Sequence, residues 1–173
     1  MNHKIRIIIF LSIVFIFMLT GIRIYYVNKV LYKIPEKEMY AVGDVIINDG
    51  LELQVLDFEI CNGEKYESSY DPNSGYTADD YDIIMALSIK NISDEVKSFN
   101  SVATGMMYGN KYGGNVNPFV FATLNEGVSG TVSLETNEET TVYLVFPYNY
   151  ETLHDDAKLI ISLYPRHISI LLR

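Results

Sequence analysis

The chain has 173 residues, 49% of them hydrophobic, and a formal net charge of −9 at pH 7. This length and composition supply enough apolar surface for one ordinary domain, which excludes a disordered protein. Five of the 13 basic residues precede Pro35 and all 22 acidic residues follow it, so the later part carries 8 − 22 = −14. That charge argues against a nucleic-acid partner, because phosphate binding needs clustered cations.

The first predicted element is a membrane helix. Residues 7–22 (IIIFLSIVFIFMLTGI) carry no charge and lie between Arg6 and Arg23. Sixteen helical residues span roughly 24 Å, a little less than the ~30 Å hydrocarbon core of a membrane. Both arginines can reach the headgroups, and Tyr25–Tyr26 falls where an aromatic belt is expected. We therefore predict one transmembrane helix over residues 7–27.

A cleaved signal peptide is the alternative interpretation of the same segment. The stretch LTGIRIYYV after the apolar run has no A-x-A pattern of small residues, and Cys61 lies too late to be a lipid-modified cysteine. The sequence therefore favours a retained signal anchor.

The predicted topology is single-pass in the plasma membrane. Residues 1–6 form a cytoplasmic tail, 28–39 a stalk that contains Pro35, and 40–173 an extracytoplasmic domain. The number of cations on either side does not decide the orientation, but a large domain can be translocated regardless of its charges. A lone cysteine also suits an oxidising, extracellular compartment.

After Pro35 the apolar residues repeat every second position, which predicts strands. In LELQVLDFEI the alternation shifts by one residue after Val55, the pattern of a β-bulge. Asn48-Asp49-Gly50 separates two alternating runs and predicts a hairpin. In YDIIMALSIKN both faces are apolar, which predicts a central strand. Three further alternating runs are TTVYLVFP, AKLIISLYP and HISILL.

No stretch after Pro35 shows an apolar stripe of helical length, and about seven short strands separated by turns indicate an antiparallel sandwich. The predicted fold is all-β, an immunoglobulin-like β-sandwich preceded by one transmembrane helix. With no tryptophan and one cysteine, the domain lacks the disulfide-and-tryptophan core of antibody domains. Its core must consist of aliphatic residues, Phe and Tyr.

The order of these features resembles a bacterial family of small anchored immunoglobulin-like domains, the telokin-like or immunoprotective extracellular domains. IIMALSIKNIS at Ile83–Ser93 matches a first strand that ends in "kN.s", and Val145–Pro147 matches a strand that closes on "vF.vP". Glu138–Glu139 stands at the family's turn, but without its Pro-Gly. The resemblance covers Tyr40 to Leu172 and implies the fold; the pattern contains no catalytic residues.

The acidic stretch YDPNSGYTADDYD invites comparison with a calcium-binding loop. Gly75 and Tyr76 fall at positions 5 and 6 of that template, where an oxygen ligand and a glycine are needed, and Asp82 replaces the final glutamate. We predict no cofactor and a solvated loop. The residues left as candidate ligands for a loosely bound cation are Asp71, Asn73, Asp79 and Asp80.

The sequence contains no local signature of nucleophilic catalysis. Cys61 could pair with His154 or His167, but a cysteine beside Ile60 in a strand is more often a small buried hydrophobe. We predict that the protein is not an enzyme; a hydrolase using scattered Asp and His is the alternative.

The segment GMMYGNKYGGNVNPF mixes Tyr, Met, Gly and Asn, which is typical of binding loops. Tyr108 and Tyr112 are the predicted partner-contacting residues. The predicted function is therefore a membrane-anchored module, monomeric by default, that binds a protein or a cell-envelope component. A calcium-dependent adhesion or sensor module is a further alternative.

Overall fold

The computed structural model describes residues 3–27, 37–69, 81–148, 156–163 and 165–172. The chain divides into two compact units, Met1–Pro35 and Glu36–Arg173. The first contains helix α1, His3–Tyr26, and its segment Ile5–Tyr26 is long and apolar enough to cross a membrane. A predominantly apolar run without charge or proline at residues 7–22 permits this helix.

The described part of the second unit consists of strands and short helices. Its strands are β1 Lys37–Ala41, β2 Ile46–Asn48, β3 Leu51–Asn62, β4 Tyr81–Asn91, β5 Lys97–Asn100, β6 Gly105–Tyr108, β7 Lys111–Asn115, β8 Thr131–Leu134, β9 Glu139–Tyr148, β10 Ala157–Ser162 and β11 His167–Leu171. Its helices are the 3-10 segments Gly63–Ser69 and Ser101–Ala103 and the α-helix α2, Pro118–Leu124. Strand β1 begins inside the predicted stalk.

The strands form two main sheets, ordered β1-β11-β10-β6-β7 and β2-β3-β4-β9, and the ribbon β5-β8. The β1–β11 pair is parallel, and the other strand pairs are antiparallel. The chain crosses from one sheet to the other between β4 and β6, through β5, and again between β9 and β10, as in Greek-key sandwiches. The predicted immunoglobulin-like β-sandwich is confirmed.

The core lies between the two sheets and is contributed by alternate residues of each strand. Strand β4 lies between β3 and β9, as predicted for a central strand. Its inward residues Ile83, Met85, Leu87 and Ile89 are fully buried. The core also contains Val142, Leu144, Phe146, Leu159, Ile168 and Ile170.

Two local predictions for β3 are confirmed. The β2–β3 turn has positive φ at Asp49 (50°) and Gly50 (78°), which these residue types tolerate. The β3–β4 register shifts between Val55 and Asp57, so Leu56 is the extra residue of a bulge. Leu56 is exposed, whereas Phe58 returns to the core.

Helix α2 was not predicted, because its seven residues are too short to show an apolar stripe. The Asn117 side chain accepts hydrogen bonds from the backbone N–H of residues 119 and 120, and Pro118 follows at the first helical turn. The helix packs Val120 against Ile84 and Val145 on the outer face of the four-stranded sheet, a small second core.

The two asparagines that flank α2, Asn117 and Asn125, close the edge of β9. The Tyr143 N–H donates to Asn125 Oδ1 (2.8 Å), and Asn125 Nδ2 donates back to the Tyr143 carbonyl (2.9 Å). The Asn117 N–H donates to the Val145 carbonyl (2.7 Å). The Asn125 amide therefore occupies the place of a neighbouring strand and blocks strand addition there.

Arg166 links the β1 edge of the five-stranded sheet to the β2 edge of the four-stranded sheet. Its Nε donates to Glu38 Oε1 on β1 (2.7 Å), its Nη2 bonds the second carboxylate oxygen, and its Nη1 donates to the Ile47 carbonyl on β2 (2.6 Å). These bonds, with one from the Tyr40 hydroxyl, lower the pKa of Glu38 to about 2. The bonded Glu38 carboxylate raises the pKa of Tyr40.

Candidate functional site

The two tyrosines of the β6–β7 hairpin have opposite environments. Tyr108 follows Met106 in the inward series of β6 and is only 2% exposed. Its hydroxyl donates to the Pro147 carbonyl (2.6 Å), and its ring centroid lies 4.8 Å from that of Tyr148. Tyr108 is therefore a core residue that joins the two sheets, and its ring is not accessible to a partner in this structure.

Tyr112 is 63% exposed and nonetheless held in one orientation. Its hydroxyl donates to Asn115 Oδ1 on the same strand. Its ring lies against the backbone of Gly105, where a Cβ would be 2.9 Å from a ring carbon. A rigid, exposed aromatic ring loses little conformational entropy on binding, which is why such rings are common at interfaces.

One glycine of this hairpin serves packing rather than the turn. A Cβ on Gly113 would lie 2.1 Å from Cε2 of Tyr108, so the buried tyrosine requires a residue without a side chain opposite it. Together, Gly105 and Gly113 allow one ring to lie on each face of the sheet. The sequence indicates the burial of Tyr108, because Tyr108 follows Met106 by two residues and so lies on the same face of the strand.

Cys61 and His167, one of the predicted catalytic alternatives, lie in different sheets. Cys61 stands opposite Asp82 in the β3–β4 register, and its Sγ contacts the Asp82 carbonyl at 3.8 Å. Burial and then the Asp82 carboxylate raise the pKa of the Cys61 thiol, which opposes formation of a nucleophilic thiolate. His154 lies outside the described residues.

The candidate cation ligands Asp71, Asn73, Asp79 and Asp80 also lie outside the described residues, and that prediction stays untested. Among the residues that the structure does describe, no group of three or more His, Cys, Asp or Glu side chains is arranged to hold a metal. Asp82, at the end of the acidic stretch, is fully buried rather than solvated. It shares the outer side of β4 with Ile84, which α2 covers.

Asn91, in the strand end that carries the family resemblance, has a structural role. Its Nδ2 donates to the carbonyls of Glu95 (2.8 Å) and Leu134 (2.9 Å), and its Oδ1 accepts from the N–H (2.9 Å) and hydroxyl (2.8 Å) of Ser93. The fully buried amide therefore joins β4, the turn after it and β8. Its hydrogen-bonding capacity is used within the fold.

Comparison with known proteins supports the fold alone. No protein-family model matches the chain, and no curated protein matches it significantly. Among solved structures, the chain is similar to the yjhA protein from Bacillus subtilis, with a TM-score of 0.58 and 10% identity over 78% of this chain and 100% of that one.

Two other crystal structures give comparable similarity. A conserved hypothetical protein from Bacillus anthracis has a TM-score of 0.55 and 14% identity over 78% of this chain and 95% of that one. A functionally unknown protein from Listeria monocytogenes EGD-e has a TM-score of 0.51 and 19% identity over 69% of this chain and 71% of that one. At such identities the likeness carries no residue roles.

Proposed function

We propose that the protein is a non-enzymatic, membrane-anchored β-sandwich module that binds a protein or cell-envelope component through the β6–β7 hairpin. The exposed and fixed ring of Tyr112 carries this proposal. Bacterial sandwich proteins of similar fold, one of them described as functionally unknown, are consistent with it. We also propose membership of the telokin-like or immunoprotective extracellular domain family, on the Asn91 and Pro147 motifs.

The module would be held by the α1 segment Ile5–Tyr26, with the sandwich outside the plasma membrane. Protease added to intact cells should then remove the sandwich and spare the helix. Protection of the sandwich until lysis would overturn the proposed orientation, and loss of the chain from the membrane fraction on alkaline washing would overturn the anchor.

The binding role is tested by placing the photoreactive residue p-benzoylphenylalanine at Tyr112 in the full-length chain in its own cells. Irradiation should give an adduct of defined, increased mass, because the ring contacts the partner directly. The matched control is the same residue at Tyr143, which is 43% exposed on the other sheet. Absence of an adduct at Tyr112, or identical adducts at both positions, would overturn the proposal.

The hydrolase and calcium-dependent alternatives depend largely on side chains outside the described residues, among them His154 and Asp71, and no observation favours them.

A further inference from the structure

The outer face of the five-stranded sheet extends the surface around Tyr112 across all five strands. Along each strand the side chains that alternate with core residues point to this face. One cross-strand row consists of Ala41, Leu171, Lys158, Met107 and Tyr112. Adjacent strands lie about 4.8 Å apart, so this row is about 20 Å wide. Lys158, on the middle strand, is its only charge.

The rest of this face mixes apolar and polar side chains, among them Lys37 and His167 at the starts of β1 and β11. The adjacent row contains Met39 on β1 and Ile160 on β10, with Ser169 between them. Met39 is exposed, whereas Ile160 and Ser169 are buried. We call Met39, Met107, Tyr112, Lys158 and Leu171 the Tyr112 face. Met and aromatic residues are enriched in the centres of protein interfaces, where charges are depleted.

The charge of this sheet is opposite to that of the domain. Its five strands contain one acidic residue, Glu38, which Arg166 neutralises, and three lysines. The strands of the other sheet contain five acidic residues and one lysine. Because the sequence after Pro35 carries 8 − 22 = −14, the Tyr112 face is a carboxylate-poor area in an acidic domain.

We propose that the Tyr112 face is the docking surface of this module and that its occupant is another polypeptide, which presents apolar side chains around a carboxylate that pairs with Lys158. This inference rests on the proposed binding function and specifies its surface and partner. A carboxylate-bearing partner is repelled by the net negative charge of the domain and is attracted by the lysine of this face, which gives the contact its specificity.

The two other possible occupants fit less well. An anionic lipid surface repels a domain of this negative charge, and polybasic segments that bind such membranes carry more lysines than this face does. A second copy of the chain brings the same negative charge and a lysine opposite Lys158, so self-association through this face is unfavourable.

The test places p-benzoylphenylalanine at Met39 or at Tyr112, which lie at opposite ends of the face, in the full-length chain. Each of the two variants is measured with and without Lys158→Glu. Both positions should cross-link the same protein, and Lys158→Glu should reduce both adducts roughly tenfold or more, because like charges then meet at the interface. The matched control is Lys90→Glu, which reverses the one lysine on the outer side of the other sheet and should leave both adducts unchanged.

Mass spectrometry should place the attachment beside apolar residues and an Asp or Glu of the partner. Changing that partner carboxylate to Lys should then restore cross-linking of the Lys158→Glu variant.

Each other outcome overturns the inference. An adduct with lipid would make this face a membrane contact, and an adduct with a second copy would make it a self-association surface. If Tyr112 gives an adduct that Lys158→Glu leaves unchanged, and Met39 gives none, the hairpin binds a partner but the extended face does not. If Tyr112 gives no adduct, the proposed binding function itself fails. Circular dichroism of each variant distinguishes lost contact from lost folding.

Discussion

The two sheets of the sandwich differ in how their surroundings are organised. The four-stranded sheet is closed at its β9 edge by Asn117 and Asn125, bonded at its β2 edge by Arg166, and partly covered by α2. The five-stranded sheet displays the exposed side chains of Met39 and Tyr112 on its outer face. These three polar side chains are thus used within the fold, whereas the five-stranded sheet leaves side chains available for contact. This difference separates residues that stabilise the domain from those proposed to recognise a partner.

Asn91→Ala should break the closed sheet most strongly. The change leaves the buried Leu134 carbonyl, the partly buried Glu95 carbonyl and the Ser93 N–H without the amide, so we expect a loss of roughly 3 kcal/mol in the free energy of unfolding. Urea denaturation measures it. Asn100→Ala removes only an exposed cap of a short 3-10 turn and should cost less than about 1 kcal/mol. Equal losses would contradict the assigned role of Asn91.

Asn125→Ala should open the β9 edge. It removes two hydrogen bonds to Tyr143 and one to the Phe121 carbonyl, so we expect a loss of about 2 kcal/mol together with concentration-dependent light scattering. Thr123→Ala, on the same helix, is the control and should cost less than about 1 kcal/mol without scattering. A variant that stayed as stable and as soluble as the wild type would show that the edge needs no closure.

Glu38→Gln should produce the smallest effect, visible mainly as a change in pH dependence. The pKa of Glu38 is lowered from 4.5 to about 2, so the folded state binds its proton less readily than the unfolded state. The stability from its bonds to Arg166 is full above pH 4.5 and is lost as the pH falls towards about 2. Thermal unfolding over this range should show a steeper decline for wild type than for Glu38→Gln. Parallel curves would contradict the assigned ion pair, and Glu52→Gln provides the baseline for removing a partly exposed carboxylate.

The sequence predicted the strands in which every second residue is buried. Strand β4 was identified as central because Ile84 makes its second face apolar as well, and the bulge after Val55 was visible as a shift in phase. Helix α2 was missed because seven residues complete only about two turns. Its position depends on contacts with β9, which are distant in sequence.

The site was harder to predict than the fold, because composition does not distinguish faces. Tyr108 and Tyr112 stand in the same glycine-rich segment, yet one is buried and one exposed. The spacing of two residues between Met106 and Tyr108 indicates that both face the core. The surface across five strands depends instead on Met39 and Leu171, which strand pairing brings into the same sheet as the hairpin. Long-range register of this kind has no local signal.

The parallel pairing of β1 with β11 has a mechanical consequence. Lys37 and His167 begin these strands at one end, and Ala41 and Leu171 finish them at the other. A pull on the chain before Lys37, opposed by a pull beyond Leu171, draws the strands along their length in opposite directions. The hydrogen bonds between them are then loaded together in shear rather than opened one after another. A tether attached through β1 would therefore pull on one of the more force-resistant arrangements that a sheet offers.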